Sequence, residues 1–379
     1  MKITLPSVKK RDWLFAFILL LICTALWFVP APDFVLTPGA FSVKAEVLET
    51  DNSGLVKHGL VNYGSQILKV RIVSGEFSGN SYVAINELRG QMDLDKIFEP
   101  GDRITVMINK DEELSVNHAL NAKDFDRSGW TMVLFGIFCL LLIAFGGWTG
   151  IKALFSFIFS VLVIFKGVIP LTLHGYSASW LIFGSVVFLT AVIIFLVSGV
   201  NKKGLAAFTG AITGVFAGLL MAHLFGAALK INGAVMPYVQ TMLHSGYENL
   251  NMSDIFIGAL MLASSGAVMD LSMDIAAAAE EIAKHNPDLS FRELTLSGMR
   301  IGKSVVGTMT TTLLLAYSGG YLTMLMMFYI QGTAFIDMIN NPLVASEMIK
   351  TLIGSFSLVL VAPLTAVASG WIFAKKKRA

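Results

Sequence analysis

Residues 167–201, 204–229, 304–336 and 351–374 of this chain contain no Asp, Glu, Lys or Arg. About 20 apolar residues suffice to carry a helix across the ~30 Å hydrocarbon core of a bilayer. Each window is longer than that. Inside lipid the backbone has no water to bond, so a run of this kind folds as a spanning helix. Composition agrees, because only 14% of the 379 residues are charged and 55% are hydrophobic, whereas soluble domains average about 25% charged. The chain is therefore read as a multipass membrane protein with the lipid bilayer as its first partner. Cys23 and Cys139 both lie in apolar runs, which suggests neither a disulfide framework nor a metal site. No basic run with interleaved aromatics points to nucleic acid.

The first apolar run, Trp13–Pro30, follows Lys9-Lys10-Arg11. It has the layout of a signal peptide, but its small-residue site, Val29-Pro-Ala31, is followed directly by Pro32, which disfavours cleavage. Residues 1–30 are read as a cytoplasmic tail and an uncleaved anchor. From 31 to 128 charges return and apolar residues alternate with polar ones, as in Gln66-Ile-Leu-Lys-Val-Arg-Ile-Val73. Turn signals such as Asn52-Ser-Gly54, Ser78-Gly-Asn80 and Pro100-Gly-Asp102 break the runs. Short alternating strands between such turns predict a small all-β barrel or sandwich. Strands are expected at 41–49, 66–74, 81–88 and 103–109, and an oligonucleotide-binding-type barrel is one of the folds that fit.

Residues 129–379 are read as a seven-helix bundle with spans near 130–148, 151–170, 179–199, 204–228, 254–271, 304–329 and 351–373. With the anchor this makes an α-helical polytopic protein of about eight transmembrane helices, its β domain set between helices 1 and 2. Orientation follows from Lys and Arg near the span ends. With the N-terminus inside, the inner segments hold Lys2, Lys9, Lys10, Arg11, Lys152, Lys202, Lys203, Lys284, Arg292, Arg300, Lys303, Lys375, Lys376, Lys377 and Arg378. The outer short loops hold Lys166, Lys230 and Lys350. Both termini are therefore expected in the cytoplasm, the β domain outside, and residues 271–303 as a cytoplasmic hairpin.

Three spans carry the residues of interest. The fifth has small residues at every fourth position: Ala206, Gly210, Gly214, Gly218, Ala222 and Gly226. Residues four apart share a helix face, and a small stripe lets another helix approach closely. Helix packing is the expected role of Gly210, Gly214 and Gly218, and a pore wall is the alternative. His223 beside the ladder is read as an interfacial side chain. In the sixth span Gly258, Gly266, Asp270 and Asp274 share one stripe, and Asp270 lies about 24 Å along the helix from Asp254, at the inner boundary. Carboxylates at membrane depth are costly, and by default mark function. Asp270 and Asp274 are therefore candidates for a polar pathway, with solvated helix-end residues as the alternative. In the seventh span Ser304, Thr308 and Thr312 recur at four-residue spacing, followed by Ser318-Gly-Gly320. Such hydroxyls bond their own helix or a neighbour, and a Gly-interrupted helix is a pointer to transporter sites.

Between these spans Ile275-Ala-Ala-Ala-Ala-Glu-Glu-Ile-Ala283 favours helix, and His285-Asn-Pro287 ends it. Ser290-Phe-Arg-Glu293 has the spacing of a capping box and opens a further amphipathic helix, expected on the inner membrane surface. Its continuation, Leu296-Ser-Gly-Met-Arg-Ile-Gly-Lys-Ser304, resembles a phosphate-binding loop. It has three residues between Gly298 and Gly302 where that loop needs four, and no strand precedes it. Gly298 and Gly302 are better read, with Gly266, as small packing contacts.

Gly266-Ala-Val-Met-Asp270, Glu280-Glu281, Asn286-Pro287, Ser297-Gly-Met-Arg-Ile-Gly302, Gly307-Thr-Met-Thr and Leu315-Ala-Tyr317 together resemble the YibE/F-like family of bacterial multipass membrane proteins. The resemblance runs from about residue 40 to the C-terminus and takes in Asn86-Glu-Leu-Arg-Gly90 and Pro100-Gly-Asp102. Two positions depart from the family's pattern: Ser304 stands where an acidic residue is expected, and Thr311 where Asn is usual. The resemblance implies a protein of the bacterial cytoplasmic (plasma) membrane and brings no substrate or reaction with it.

Transport of a small solute or ion is the expected function. A homologous or identical membrane subunit is the expected partner, and a separate ATPase is compatible as an energy source. Envelope assembly or sensing through the outer domain is the alternative. No H-E-x-x-H, paired metal-spaced His or G-x-S-x-G is present, and Asp270 and Asp274 share one helix where an intramembrane aspartyl protease needs two. No catalytic residue, metal or cofactor is expected.

Overall fold

The structure is a computed structural model that describes Thr24 and residues 40–92, 94–109 and 119–374. The expected anchor at 13–30 and the basic tail at 375–378 lie outside the described residues. The chain divides into two compact units, one within Asp33–Leu141 and one within Leu142–Ala379.

The first unit is a β-barrel of six strands: β1 (Ala40–Asp51), β2 (Leu55–His58), β3 (Val61–Ile72), β4 (Ser81–Arg89), β5 (Arg103–Asn109) and β6 (Leu120–Phe125). Their order is β1-β5-β6-β4-β3-β2, and an additional β1–β3 pairing closes the sheet. Every pairing is antiparallel except β4 with β6. With β2 set aside as a hairpin extension of β3, this is the connectivity of a five-stranded oligonucleotide- or oligosaccharide-binding-type barrel. A shared barrel does not imply a shared ligand. Alternation fills the inside: Val43, Ala45 and Val47 from β1, Leu68, Val70 and Ile72 from β3, and Ile104, Val106 and Ile108 from β5 are all buried. The same alternation points Gln66 inward at 0% exposure. Its carboxamide donates to Asn52 Oδ1 and to the Phe98 carbonyl, each at 2.7 Å, and accepts from the Phe98 amide and from Asn86. Asn86 donates in turn to the Lys96 carbonyl at 2.6 Å. Two buried amides thus pin the 96–98 strap across the barrel, and none of their cost is left uncompensated. The Asp95 carboxyl lies below its usual range; burial raises it, but the backbone amides of Arg89, Gln91 and Gly90 outweigh that.

Beyond the barrel come α1 (Ser128–Leu173), α2 (Ala178–Ser198), α3 (Lys202–Ala228), α4 (Met252–His285), α5 (Phe291–Gly320), α6 (Leu322–Ile330) and α7 (Pro342–Phe373). Among the described residues five helices are long and apolar enough to cross a membrane, and six if the bent pair α5–α6 counts as one. That is a multipass helical protein with a small β domain. α1 covers both the 130–148 and the 151–170 expectations in one 46-residue stretch, about 69 Å if it were straight. It is not straight. Gly147 breaks the helix at φ 53°, ψ −127°, and a Cβ on Gly150 would fall 2.2 Å from the Leu142 carbonyl oxygen. The chain therefore turns back sharply at a backbone conformation that glycine tolerates best.

Two further boundaries differ from expectation. α4 does not stop at 271 but runs unbroken to His285, because the Ala-rich run after Asp274 is as helix-forming as the span before it. α5 is one helix from Phe291 into the apolar run, so no separate surface helix precedes the span. Its capping box is formed in full: the Ser290 hydroxyl accepts from the Glu293 amide at 3.3 Å, and the Glu293 carboxylate accepts from the Ser290 amide at 2.8 Å. At Tyr321 the path bends by 66° into α6, just after Gly319 and Gly320.

α7 is the central helix, packing on α3, α4 and α5. Its Ser357, Val361 and Thr365 meet the glycine ladder of α3 in antiparallel order. A Cβ on Gly218 would fall 2.0 Å from the Ser357 hydroxyl, on Gly214 2.7 Å from Val361 Cβ, and on Gly210 2.0 Å from the Thr365 hydroxyl. α5 docks in the same way, with Gly298 against Ala366 and Gly302 against Ala362. Lipid is as apolar as Leu, so this association rests on close van der Waals contact and not on a hydrophobic drive.

Candidate functional site

Asp270 and Asp274 sit on α4, on the side away from its packed face. That packed face is Met261, Ser264, Ser265, Val268, Leu271, Ser272, Ile275 and Ala276, all buried. The opposite stripe, Ala259, Ala263, Gly266, Asp270, Asp274 and Ala277, is exposed along its whole length. A Cβ on Gly266 would meet nothing within 4 Å. Of the six glycines read as packing contacts, Gly210, Gly214, Gly218, Gly298 and Gly302 are packed within the chain, and Gly266 is open.

The hydroxyls of α5 also face outward. Ser304, Thr308 and Thr312 are exposed, and each donates to its own helix: Ser304 to the Ile301 carbonyl at 2.7 Å, Thr308 to Val305 at 2.9 Å and Thr312 to Thr308 at 3.0 Å. Thr311 does the same to Gly307 at 3.1 Å. No hydrogen bond among the described residues joins Asp270 or Asp274 to these hydroxyls. The two helices are nevertheless neighbours. Ile275 of α4 lies against both Gly298 and Gly302 of α5, 3.6 and 3.2 Å from where their Cβ atoms would be. Asp274 is thus level with the turn from Arg300 to Lys303, and Asp270 is one turn, about 6 Å, further along, level with the turn from Ser304 to Thr308. Two neighbouring helices thus each turn a polar stripe outward.

Other polar groups lie inside it. The hydroxyls of Thr365 and Ser369 on α7 and Thr295 on α5 are buried with no hydrogen-bond partner. Thr365 lies against Gly210, and Thr295 against Gly370. Pro363 sits between the α7 pair and their upstream turn, where it removes one helical N–H. Lys350, an outer-loop marker in the sequence, lies within α7 and forms an ion pair with Glu347, both about a quarter exposed. Tyr317 of α5 and Ser264 of α4 both approach Gly354, one turn beyond Lys350, at 3.7 Å from its Cβ position. Lys152, another charge marker, is buried in α1. His223 bonds the Leu219 carbonyl of its own helix at 3.1 Å. Asp254 is engaged as a cap of α2, accepting from the Ser177 hydroxyl at 2.8 Å.

In the barrel unit a cavity of about 900 Å³ opens where β6 runs into α1, lined by Arg103, Phe125, Asp126, Arg127, Trp130 and Leu134 among others. Arg127 pairs with Asp124 at 2.8 Å and lies 5.7 Å from the centre of the Phe125 ring. The Ser128 hydroxyl and the Lys44 ammonium beside Asp126 hold its carboxyl below the usual range. No group of three or more metal-ligating side chains occurs among the described residues.

A family model described as YibE/F-like protein matches residues 134–375. It covers the helical region and starts after the barrel. No curated protein and no solved structure matches the chain.

Proposed function

The chain belongs to the YibE/F-like family, and from that premise we propose that it is a transporter or permease component of the bacterial cytoplasmic membrane, moving a small solute or ion. The observation that carries this is the exposed stripe of α4. It sets Asp270 and Asp274 in line with Gly266 and beside the hydroxyls of α5, on the outside of the bundle. A carboxylate there is costly if it faces lipid. A polar, small-residue face next to a row of hydroxyls instead supplies oxygen ligands and room for a hydrated solute. The α5–α6 break after Gly320 adds a discontinuous helix, the kind of element that builds transporter sites.

In this reading α1 crosses the membrane twice, reversing at Gly147, and the Lys and Arg bias of the short loops puts both termini in the cytoplasm and the barrel outside. The test is flux. Vesicles holding the full chain are loaded with a labelled panel of sodium, potassium, inorganic phosphate and amino acids. At least one label should move with the native chain and stop with Asp270→Asn at equal abundance. If no label moves, or if Asp270→Asn leaves movement unchanged, transport through this face is wrong.

A second reading is envelope assembly or sensing, favoured by the cavity at the base of the barrel and its Arg103, Arg127 and Trp130. It predicts that these side chains, and not Asp270, control the phenotype.

A further inference from the structure

The geometry points to a second copy of this chain as the cover of the α4–α5 face, paired about a two-fold axis along the membrane normal, with Asp274 of each copy against Lys303 of the other. This deepens the proposed transport reading and rests on it for the role of Asp270. Three observations carry it.

The first is self-complementarity of charge. α4 exposes Asp270 and Asp274, and the adjoining α5 exposes Arg300 and Lys303. None of the four makes an ion pair with any described residue of its own chain. An isologous contact uses the same patch on both copies, so a patch with an acidic half and a basic half meets its complement when rotated by half a turn.

The second is depth. Ile275 beside Gly298 and Gly302 places Asp274 level with the turn from Arg300 to Lys303 within one chain. Two copies in one bilayer share their depth, so the acidic level of one reaches the basic level of the other without tilt or offset. Asp270, one turn deeper, keeps no cation partner and stays at the polar path between the copies.

The third is space. Ala259, Ala263 and Gly266 let a second backbone come close, and nothing of the chain itself lies within 4 Å of a Cβ at Gly266. The stripe on α3, by contrast, is already filled by α7.

The test uses the full chain carrying two different tags, co-expressed and extracted in mild detergent. The native copies should co-purify. Asp274→Lys alone and Lys303→Asp alone should each cut co-purification about tenfold, through like-charge contact across the axis. The double variant Asp274→Lys/Lys303→Asp should restore it, because both halves of the patch are then reversed together. Gly266→Leu should also separate the copies while leaving abundance and thermal unfolding as in the native chain. Failure of the native tags to co-purify overturns the proposal, as does co-purification indifferent to Asp274→Lys, or a different protein recovered in place of the second tag. Co-purification that behaves as expected, with solute movement unchanged by Asp270→Asn, overturns the transport reading and leaves the pairing standing.

Discussion

α3 and α4 each carry a stripe of small residues at helical spacing, and the bundle treats them in opposite ways. On α3, Ala206, Gly210, Gly214, Gly218, Ala222 and Gly226 are all buried, and Thr365, Val361 and Ser357 of α7 sit where the Cβ atoms of Gly210, Gly214 and Gly218 would be. On α4, Ala259, Ala263 and Gly266 are exposed and continue into Asp270 and Asp274. Small residues at one-turn spacing say that a helix can be approached closely. They do not say by what. What separates the two stripes is how they end. The α3 ladder carries no charge, so it closes on another helix of the same chain. The α4 stripe ends in two carboxylates that no described side chain pairs, so it stays open for a solute or a second copy.

The contrast can be broken from the closed side first. Gly214→Leu should have the largest effect, because its Cβ would lie 2.7 Å from Val361 Cβ and 3.3 Å from Val268. Overpacking of this kind costs about 1–3 kcal/mol or more. The unfolding midpoint of the detergent-solubilised chain should fall by roughly 5 °C or more, at about 2–4 °C per kcal/mol for a bundle of this size. An unchanged midpoint would show that α3 and α7 are not in contact. Thr365→Val should have a smaller effect of opposite sign. The Thr365 hydroxyl is buried without a partner against Gly210, so an isosteric methyl removes a desolvation cost and should stabilise by about 1 kcal/mol. Destabilisation instead would mean that this hydroxyl is bonded in the membrane.

Much of this was readable before any coordinates. The charge-free windows, the Ser290–Glu293 cap, the α3 ladder and the barrel's alternation are local patterns whose cause lies within a few residues. Four expected strands correspond to β1, β3, β4 and β5. β2 and β6 were missed because Leu55–His58 is exposed at three of its four positions and Leu120–Phe125 is polar at three of six. Gln66 shares the inward face with Leu68 and Val70, and nothing in the alternation hints that a glutamine there is held by Asn52, Asn86 and Phe98. In the bundle, periodicity shows which residues share a face but not which face the core takes. The sixth span of the sequence has Ser264, Ser265 and Ser272 on one side and Gly266, Asp270 and Asp274 on the other, so neither side is marked as lipid-facing. Only the packing of α4 on α3, α5 and α7 decides that the serines go in and the aspartates out. The Glu347–Lys350 pair was hidden for a similar reason: α7 begins at Pro342, nine residues before the charge-free window that marked it.

The difference between the two stripes rests on water, and thiol labelling reads it directly. In a Cys23→Ser/Cys139→Ser background, Asp270→Cys on α4 and Gly214→Cys on α3 are exposed to a water-soluble maleimide in inside-out membrane vesicles. The account predicts rapid labelling at 270 and none at 214. Asp274→Cys reacting while Asp270→Cys resists would mean that water stops at the inner boundary. The α4 stripe would then be a dry contact, and Asp270 no part of a path.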